Sequence, residues 1–310
     1  MMKKIKDLFG IDAPDTAMYP VESERTHRVP KLDPHYKFSA RTLRVVLLWL
    51  QEGGSSLYLS GPTGAGKTTL IEQVCARIGR ETYRVGCHSR LEISDMVGRL
   101  TLTADGTKFV YGPLVESMRR GGVLLLDEAD QLPPSTAMGL TPILDRESIY
   151  IPETGEWVEP HPNFRVAVTG NSAGRGDETG LYRGVQRQNL AWVDRFFHLH
   201  VSYMKAEDEV EIIRRAAPDL PEVIARAMVR LAEEVRKVFI GCTPDGTLES
   251  TISTRVLVRW ARTAVSFYGA SGIDPLEESL HVSLLNSLSE RERDSILSIW
   301  RRINGGDSNS

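Results

Sequence analysis

Residues 61–68 read Gly61-Pro62-Thr63-Gly64-Ala65-Gly66-Lys67-Thr68, which satisfies the pattern G-x-x-x-x-G-K-[ST] in full. Glycines at this spacing let the backbone turn its N–H groups inward around a chain of phosphates. A lysine at the end of such a loop neutralises the outer phosphates of ATP, and the hydroxyl of the next residue suits Mg2+. Thr69 carries the cradle into the helix that follows, whose positive end faces the same charge. The flanking sequence agrees, with an apolar run at Leu57–Leu59 before the loop and a helical pattern over Leu70–Ile78 behind it.

A second constellation lies downstream. Val123-Leu124-Leu125-Leu126 is an apolar run that ends in Asp127 and Glu128. Acids at the C-terminal end of a buried parallel strand lie where such sheets bind ligands. There Asp127 would hold magnesium through water, and Glu128 would orient and polarise a water for in-line attack. The strand expected over Phe164–Val168 ends in Thr169-Gly170-Asn171, and Asn171 could hydrogen-bond a terminal phosphate or that water. Its competing reading is a turn residue, since asparagine tolerates left-handed backbone. Arg195, just before an expected strand, and Arg255, at the start of an expected helix, suit multidentate phosphate contacts; an ordinary surface ion pair is the alternative for each.

Other chemistry finds no support. His198 and His200 alternate on one expected strand face, with no third ligand placed near them. Cys87 and His88 would point to opposite faces of a strand. The cysteines Cys75, Cys87 and Cys242 form no C-x-x-C pair and read as free buried thiols in a reducing compartment. A net charge of -3 offers no general attraction to nucleic acid or an anionic membrane. The longest apolar run, Val45–Leu50, is far short of the ~20 residues that span a bilayer. The start of the chain has no signal-peptide core, so a cytoplasmic protein is expected.

These residues need a scaffold. Strands are expected over Leu57–Leu59, Thr82–Cys87, Val123–Leu126, Phe164–Val168 and Phe196–Val201, alternating with helices. That order implies an α/β fold with a doubly wound parallel sheet. Ser39 is placed to cap a helix that Gly53-Gly54 ends. Leu100–Val115, around Asp105-Gly106, and Ser148–Pro160, around Thr154-Gly155, read as inserted hairpins. Beyond residue 203 the spacing turns helical, as in Ile224, Met228, Leu231, Val235 and Phe239, with Ser289 and Glu292 as a capping box. The expected organisation is an extended arm over 1–36, a nucleotide-binding α/β domain over 37–203, a small all-helical lid over 204–305 and a disordered tail over 306–310.

The phosphate loop, the Asp-Glu strand end, the Asn-tipped strand, Asp194-Arg195-Phe196 and a helical lid together resemble the AAA+ ATPases. More narrowly, the chain resembles the MoxR branch and its CobS-type ATPase subunit of cobaltochelatase. Phe9-Gly10-Ile11-Asp12, Val29-Pro30, Asp33-Pro34-His35-Tyr36-Lys37-Phe38, Ile71-Glu72-Gln73-Val74, the stretch Gly174–Gly184 and Thr251–Trp260 carry that likeness. The resemblance implies that Asn171 is sensor 1, that Arg195 is an arginine finger serving a neighbouring subunit, and that Arg255 is sensor 2. The hairpins would match inserts that face a ring's pore or a partner, with Phe109 and Tyr111 as candidate pore contacts or core packing. It further implies a homo-oligomer, a hexameric ring, and a protein partner with a von Willebrand factor A domain. Three functions stay open: a remodelling motor on such a partner, a true cobaltochelatase subunit, and a nucleic-acid-linked or restriction-type motor.

Overall fold

The computed structural model describes residues 1–23, 25–104, 106–176, 184–239 and 247–305. The chain divides into two units, Met1–Gly61 with Gly66–Val201, and Pro62–Ala65 with Ser202–Ser310.

In the first unit, residues 1–36 are not the extended arm expected from their lack of periodicity. β1 (Met2–Lys4) runs into α1 (Ile5–Phe9) and pairs antiparallel with β2 (Met18–Pro20). Scattered apolar side chains, Phe9, Tyr19 and Val21, are buried. Long-range polar contacts do the rest: the Glu22 N–H donates to the Ile78 carbonyl at 2.8 Å, and the Thr26 hydroxyl donates to Glu81 at 2.6 Å. Such contacts leave no periodic trace in a local sequence.

The apolar runs build the scaffold. α2 (Ala40–Glu52) buries Leu43, Val46, Leu47, Trp49 and Leu50 and stops at Gly53 in left-handed backbone. Ser39 occupies its N-cap without a side-chain capping bond. β3 (Ser56–Ser60), α3 (Lys67–Ile78), β4 (Thr82–Gly86), α4 (Ile93–Val97) and the hairpin β5 (Gly98–Thr103) and β6 (Gly106–Tyr111) follow. Next come α5 (Pro113–Arg120), β7 (Val123–Asp127), α6 (Pro134–Gly139), α7 (Thr141–Leu144) and the second hairpin, β8 (Ile149–Ile151) and β9 (Glu156–Val158). β10 (Arg165–Gly170), α8 (Leu190–Val193) and β11 (Phe196–His200) complete the unit.

The five core strands are all parallel, in the order β11-β3-β10-β7-β4. The chain steps from β3 to the far edge at β4, returns through β7 and β10, and crosses to the other side of β3. Four consecutive buried residues, Val123–Leu126, confirm a strand covered on both faces. Register places Gly86 beside Asp127 and Gly170 beside Ser60. The C-terminal ends of β3, β7 and β10 therefore gather at one edge of the sheet, where such sheets take ligands.

The inserted hairpins form as expected, yet Phe109 and Tyr111 do not present their rings as free contacts. They meet edge to face at 5.3 Å and pack on the main core. The Tyr111 hydroxyl donates to Glu156 of the second hairpin at 2.9 Å. Leu100 pairs with Phe109 across the ladder, and Leu102 lies further towards the tip; they are 56% and 82% exposed.

The second unit is helical: α9 (Ala206–Ala216), α10 (Glu222–Lys237), α11 (Thr254–Phe267), α12 (Pro275–Ser283) and α13 (Glu290–Gly305). Met228, Leu231 and Val235 are buried with Trp260 and Trp300 in its own core, and Phe239 is buried as well. The Ser289 hydroxyl exchanges hydrogen bonds with Glu292 at the start of α13. Cys242 and most of Gly174–Gly184 lie outside the described residues, as do Asp105 and the tail 306–310.

Candidate functional site

The loop after β3 is shaped by glycines at positive φ, where a side chain is strained. Gly61 has φ of 146°, and a Cβ there would sit 2.1 Å from the Val201 carbonyl oxygen. Gly66 takes left-handed backbone at the N-cap of α3, and no side chain caps that helix. The N–H groups of Thr68 and Thr69 have no intrahelical acceptor by helix geometry, so they suit an anion.

Four of the expected residues converge in the first unit. Lys67 Nζ donates to the Gly61 carbonyl at 2.7 Å and to Asn171 Oδ1 at 3.0 Å. The Thr68 hydroxyl donates to Asp127 Oδ1 at 2.5 Å. Thr169, one residue before the tip of β10, donates to the same oxygen at 2.6 Å. Burial pulls the Lys67 ammonium down to about 8, against the opposing pull of Asp130, Asp127 and Glu128. At Asp127 burial acts to raise the pKa, but bonds from Thr169, Thr68 and Arg84 outweigh it and hold the carboxyl below the usual carboxylate range.

Glu128 sits in left-handed backbone at φ 59°, unusual for a residue with a side chain. Its N–H donates to the Thr169 hydroxyl at 3.0 Å. Its exposed carboxylate accepts a 2.7 Å bond from Gln131. A positive φ in a residue with a side chain is a strained turn, and it stands directly after the end of β7.

The other two expected residues stand elsewhere. Arg195 binds Asp145 through Nε at 2.9 Å and the Ala191 carbonyl through Nη1, both within its own unit. Arg255 is exposed on the first turn of α11 in the second unit. The loop tip Pro62–Ala65 groups with that second unit, where the Tyr203 hydroxyl donates to the Thr63 carbonyl at 2.9 Å.

The structure adds Asp130, Thr169 and Arg84, to which the sequence reading gives no role. Asp130 is fully buried and accepts the N–H of Asn171 at 2.6 Å and of Ser172 at 3.3 Å, fastening the tip of β10 to the turn after β7. Burial lifts its carboxyl above the usual range, opposed by those N–H groups and by Lys67. The Asp-Glu-Ala-Asp run is the signal that could have found it, because a tight turn folds a residue three positions on back towards the strand end. Arg84 grips Asp127 from the neighbouring strand.

Chemically the cluster offers a concave set of N–H donors, one ammonium, and hydroxyl and carboxylate oxygens. Thr68 and Asp127 are hard oxygen donors placed together beside a phosphate loop, the donor set that magnesium takes with phosphates. Bound there, the ion would draw charge from the phosphate oxygens. No cluster of three or more His, Cys, Asp or Glu suited to a metal occurs among the described residues. Free Cys75 and Cys87 are buried, and burial raises their thiols to about 11 and about 12. Among the described residues no helix is long and apolar enough to cross a membrane.

The chain is similar to known proteins along most of its length. Residues 56–196 match the family model described as "AAA domain (dynein-related subfamily)", and residues 209–299 match "CbbQ/NirQ/NorQ C-terminal". The chain is 30% identical to the aerobic cobaltochelatase subunit CobS of Sinorhizobium, over 97% of this chain and 90% of that protein. It is 31% identical to the denitrification regulatory protein NirQ of Pseudomonas aeruginosa, over 76% and 84%. It is 31% identical to NorQ of Paracoccus denitrificans, over 64% and 70%. Among solved structures a variant of Thermotoga maritima RuvB aligns with a TM-score of 0.52 at 17% identity, over 87% of this chain and 80% of that one, which speaks for the fold alone.

Proposed function

The chain belongs to the MoxR-type AAA+ ATPases related to CobS, NirQ, NorQ and CbbQ, and from that premise we propose a magnesium-dependent ATPase that works as a homo-oligomeric, hexameric ring to remodel a partner protein complex. The observation that carries the reading is the convergence of Lys67, Thr68, Asp127 and Asn171 at the C-terminal edge of the sheet. The loop Gly61–Thr69, with Lys67, holds the phosphates. Thr68 and Asp127 hold the ion. Glu128 orients the attacking water, and Asn171, which already bonds Lys67, senses the terminal phosphate. Arg195 leaves Asp145 to stabilise transition-state charge in a neighbouring copy, a contribution worth roughly 10³–10⁵ in rate. Arg255 takes the sensor 2 role that the likeness implies.

The partner proposed is a protein with a von Willebrand factor A domain, as the likeness to the CobS type suggests. A second reading, a cobaltochelatase subunit, is favoured by likeness to CobS along 97% of the chain. Neighbouring genes for corrin synthesis would support it. A nucleic-acid motor would instead show turnover stimulated by DNA or RNA and falling steeply with salt. The direct test of the site is Glu128→Gln. Nucleotide binding should persist while turnover falls about 10²- to 10⁴-fold. Unchanged turnover would remove Glu128 from its role.

A further inference from the structure

Arg84 stands on β4, the edge strand beside β7. Its Nε lies 3.1 Å from Asp127 Oδ2, and its Nη2 donates to the same oxygen. Its Nη1 lies 3.4 Å from Oε1 of Glu72 on α3. The division at Asp127 is orderly: Oδ1 takes the hydroxyls of Thr68 and Thr169, and Oδ2 takes Arg84 alone among the bonds described. The carboxylate is 13% exposed, whereas the Arg84 side chain is 53% exposed.

A guanidinium and a divalent cation both seek Asp127, and like charges at such short range repel. Arg84 has what an exchangeable partner needs. Half in water, its grip is weak and readily given up. Glu72, already within ion-pair distance, offers a second carboxylate to receive it. We propose that Arg84 is a positioning residue that competes with the metal for Asp127: it holds the carboxylate in place and yields it, turning onto Glu72, as magnesium and nucleotide bind. Arg84 thereby sets how much magnesium nucleotide binding demands. The inference rests on the reading of Asp127 as a metal-holding residue.

The test reads binding, not turnover. The full chain carrying Glu128→Gln is titrated with magnesium chloride at fixed N-methylanthraniloyl-ATP, and the analogue's affinity in EDTA is measured separately. Arg84→Gln should lower the magnesium half-saturation by about two- to fivefold, the size of one exposed ion pair. Glu72→Gln, which takes away the alternative partner, should raise it. Arg84→Lys keeps the charge but loses the two-pronged grip and should fall between the parent and Arg84→Gln. A half-saturation unchanged or raised in a folded Arg84→Gln chain overturns the proposal. A rise with weaker binding in EDTA also overturns it and makes Arg84 a direct phosphate contact. A parent chain that binds no analogue at any magnesium level overturns the reading of the site itself, a result separable from the others.

Discussion

Each unit of the molecule contains an arginine bound to a carboxylate, and the two pairs are built to opposite specifications. In the second unit Arg236 forks both oxygens of Glu209 at 2.7 and 2.9 Å, and its Nε donates to the Ile252 carbonyl at 2.8 Å. The Thr254 hydroxyl adds a bond to Glu209, and the Tyr203 ring lies 3.9 Å beneath the guanidinium. The side chains are 9% and 0% exposed. In the first unit Arg84 reaches one oxygen of Asp127 and stands half in water. A buried pair survives only if its hydrogen bonds are satisfied, which ties its partners to one arrangement. A pair left open on one side keeps its partners exchangeable. The closed pair therefore holds a fold, and the open one marks a place where partners change.

The largest effect that could break this contrast is on stability. Arg236→Ala leaves Glu209 buried and unpaired and should cost about 3–5 kcal/mol in denaturant unfolding of the second unit. A cost below about 1 kcal/mol would erase the distinction. Replacing Arg236 with Met and Glu209 with Leu together should cost far less than the single change, because no charge is stranded.

Next in size is the pH response of the open site. Burial holds the Lys67 ammonium at about 8 rather than the ordinary 10.5. Triphosphate needs the charged form, so affinity should fall above pH 8, by up to about tenfold per unit. Over the same window the folded chain binds fewer protons than the unfolded one. Lys67 therefore adds stability as pH rises from about 8 towards 10.5. A fluorescent-nucleotide titration from pH 7 upwards would show it, and a flat profile would contradict it. The smallest effect expected is on the open pair itself: Arg84→Ala should change unfolding free energy by no more than about 1 kcal/mol.

What the sequence made legible follows from how local each signal is. Gly61–Thr68 is contiguous, and Asp127, Glu128 and Asn171 sit at the ends of strands whose apolar runs announce them. The hairpins were legible from their turn residues. Arg84 was not, because an arginine on an edge strand is ordinary and only strand order puts it beside Asp127. Glu209 and Arg236 occupy different helices, and neither window shows that they will meet. The segment 1–36 failed as an extended arm for the same reason: Thr26–Glu81 and the Asp33 N–H to Gln73 contact are joined by the fold alone. Tyr111 turned inward because Glu156 of the other hairpin meets it.

The claim at the centre is that one complete site draws on two copies of the chain. Arg195 is bound in the structure to Asp145 of its own chain, away from every hydrogen bond described for Lys67, Thr68 or Asp127. The most direct measurement mixes two inactive chains, Arg195→Ala and Lys67→Ala, over a range of ratios and follows phosphate release. The first keeps an intact phosphate loop, and the second keeps an intact arginine. Activity that rises in the mixtures above either chain alone is the result the account predicts. Mixtures that stay inactive at every ratio, although the chains co-assemble, would contradict it.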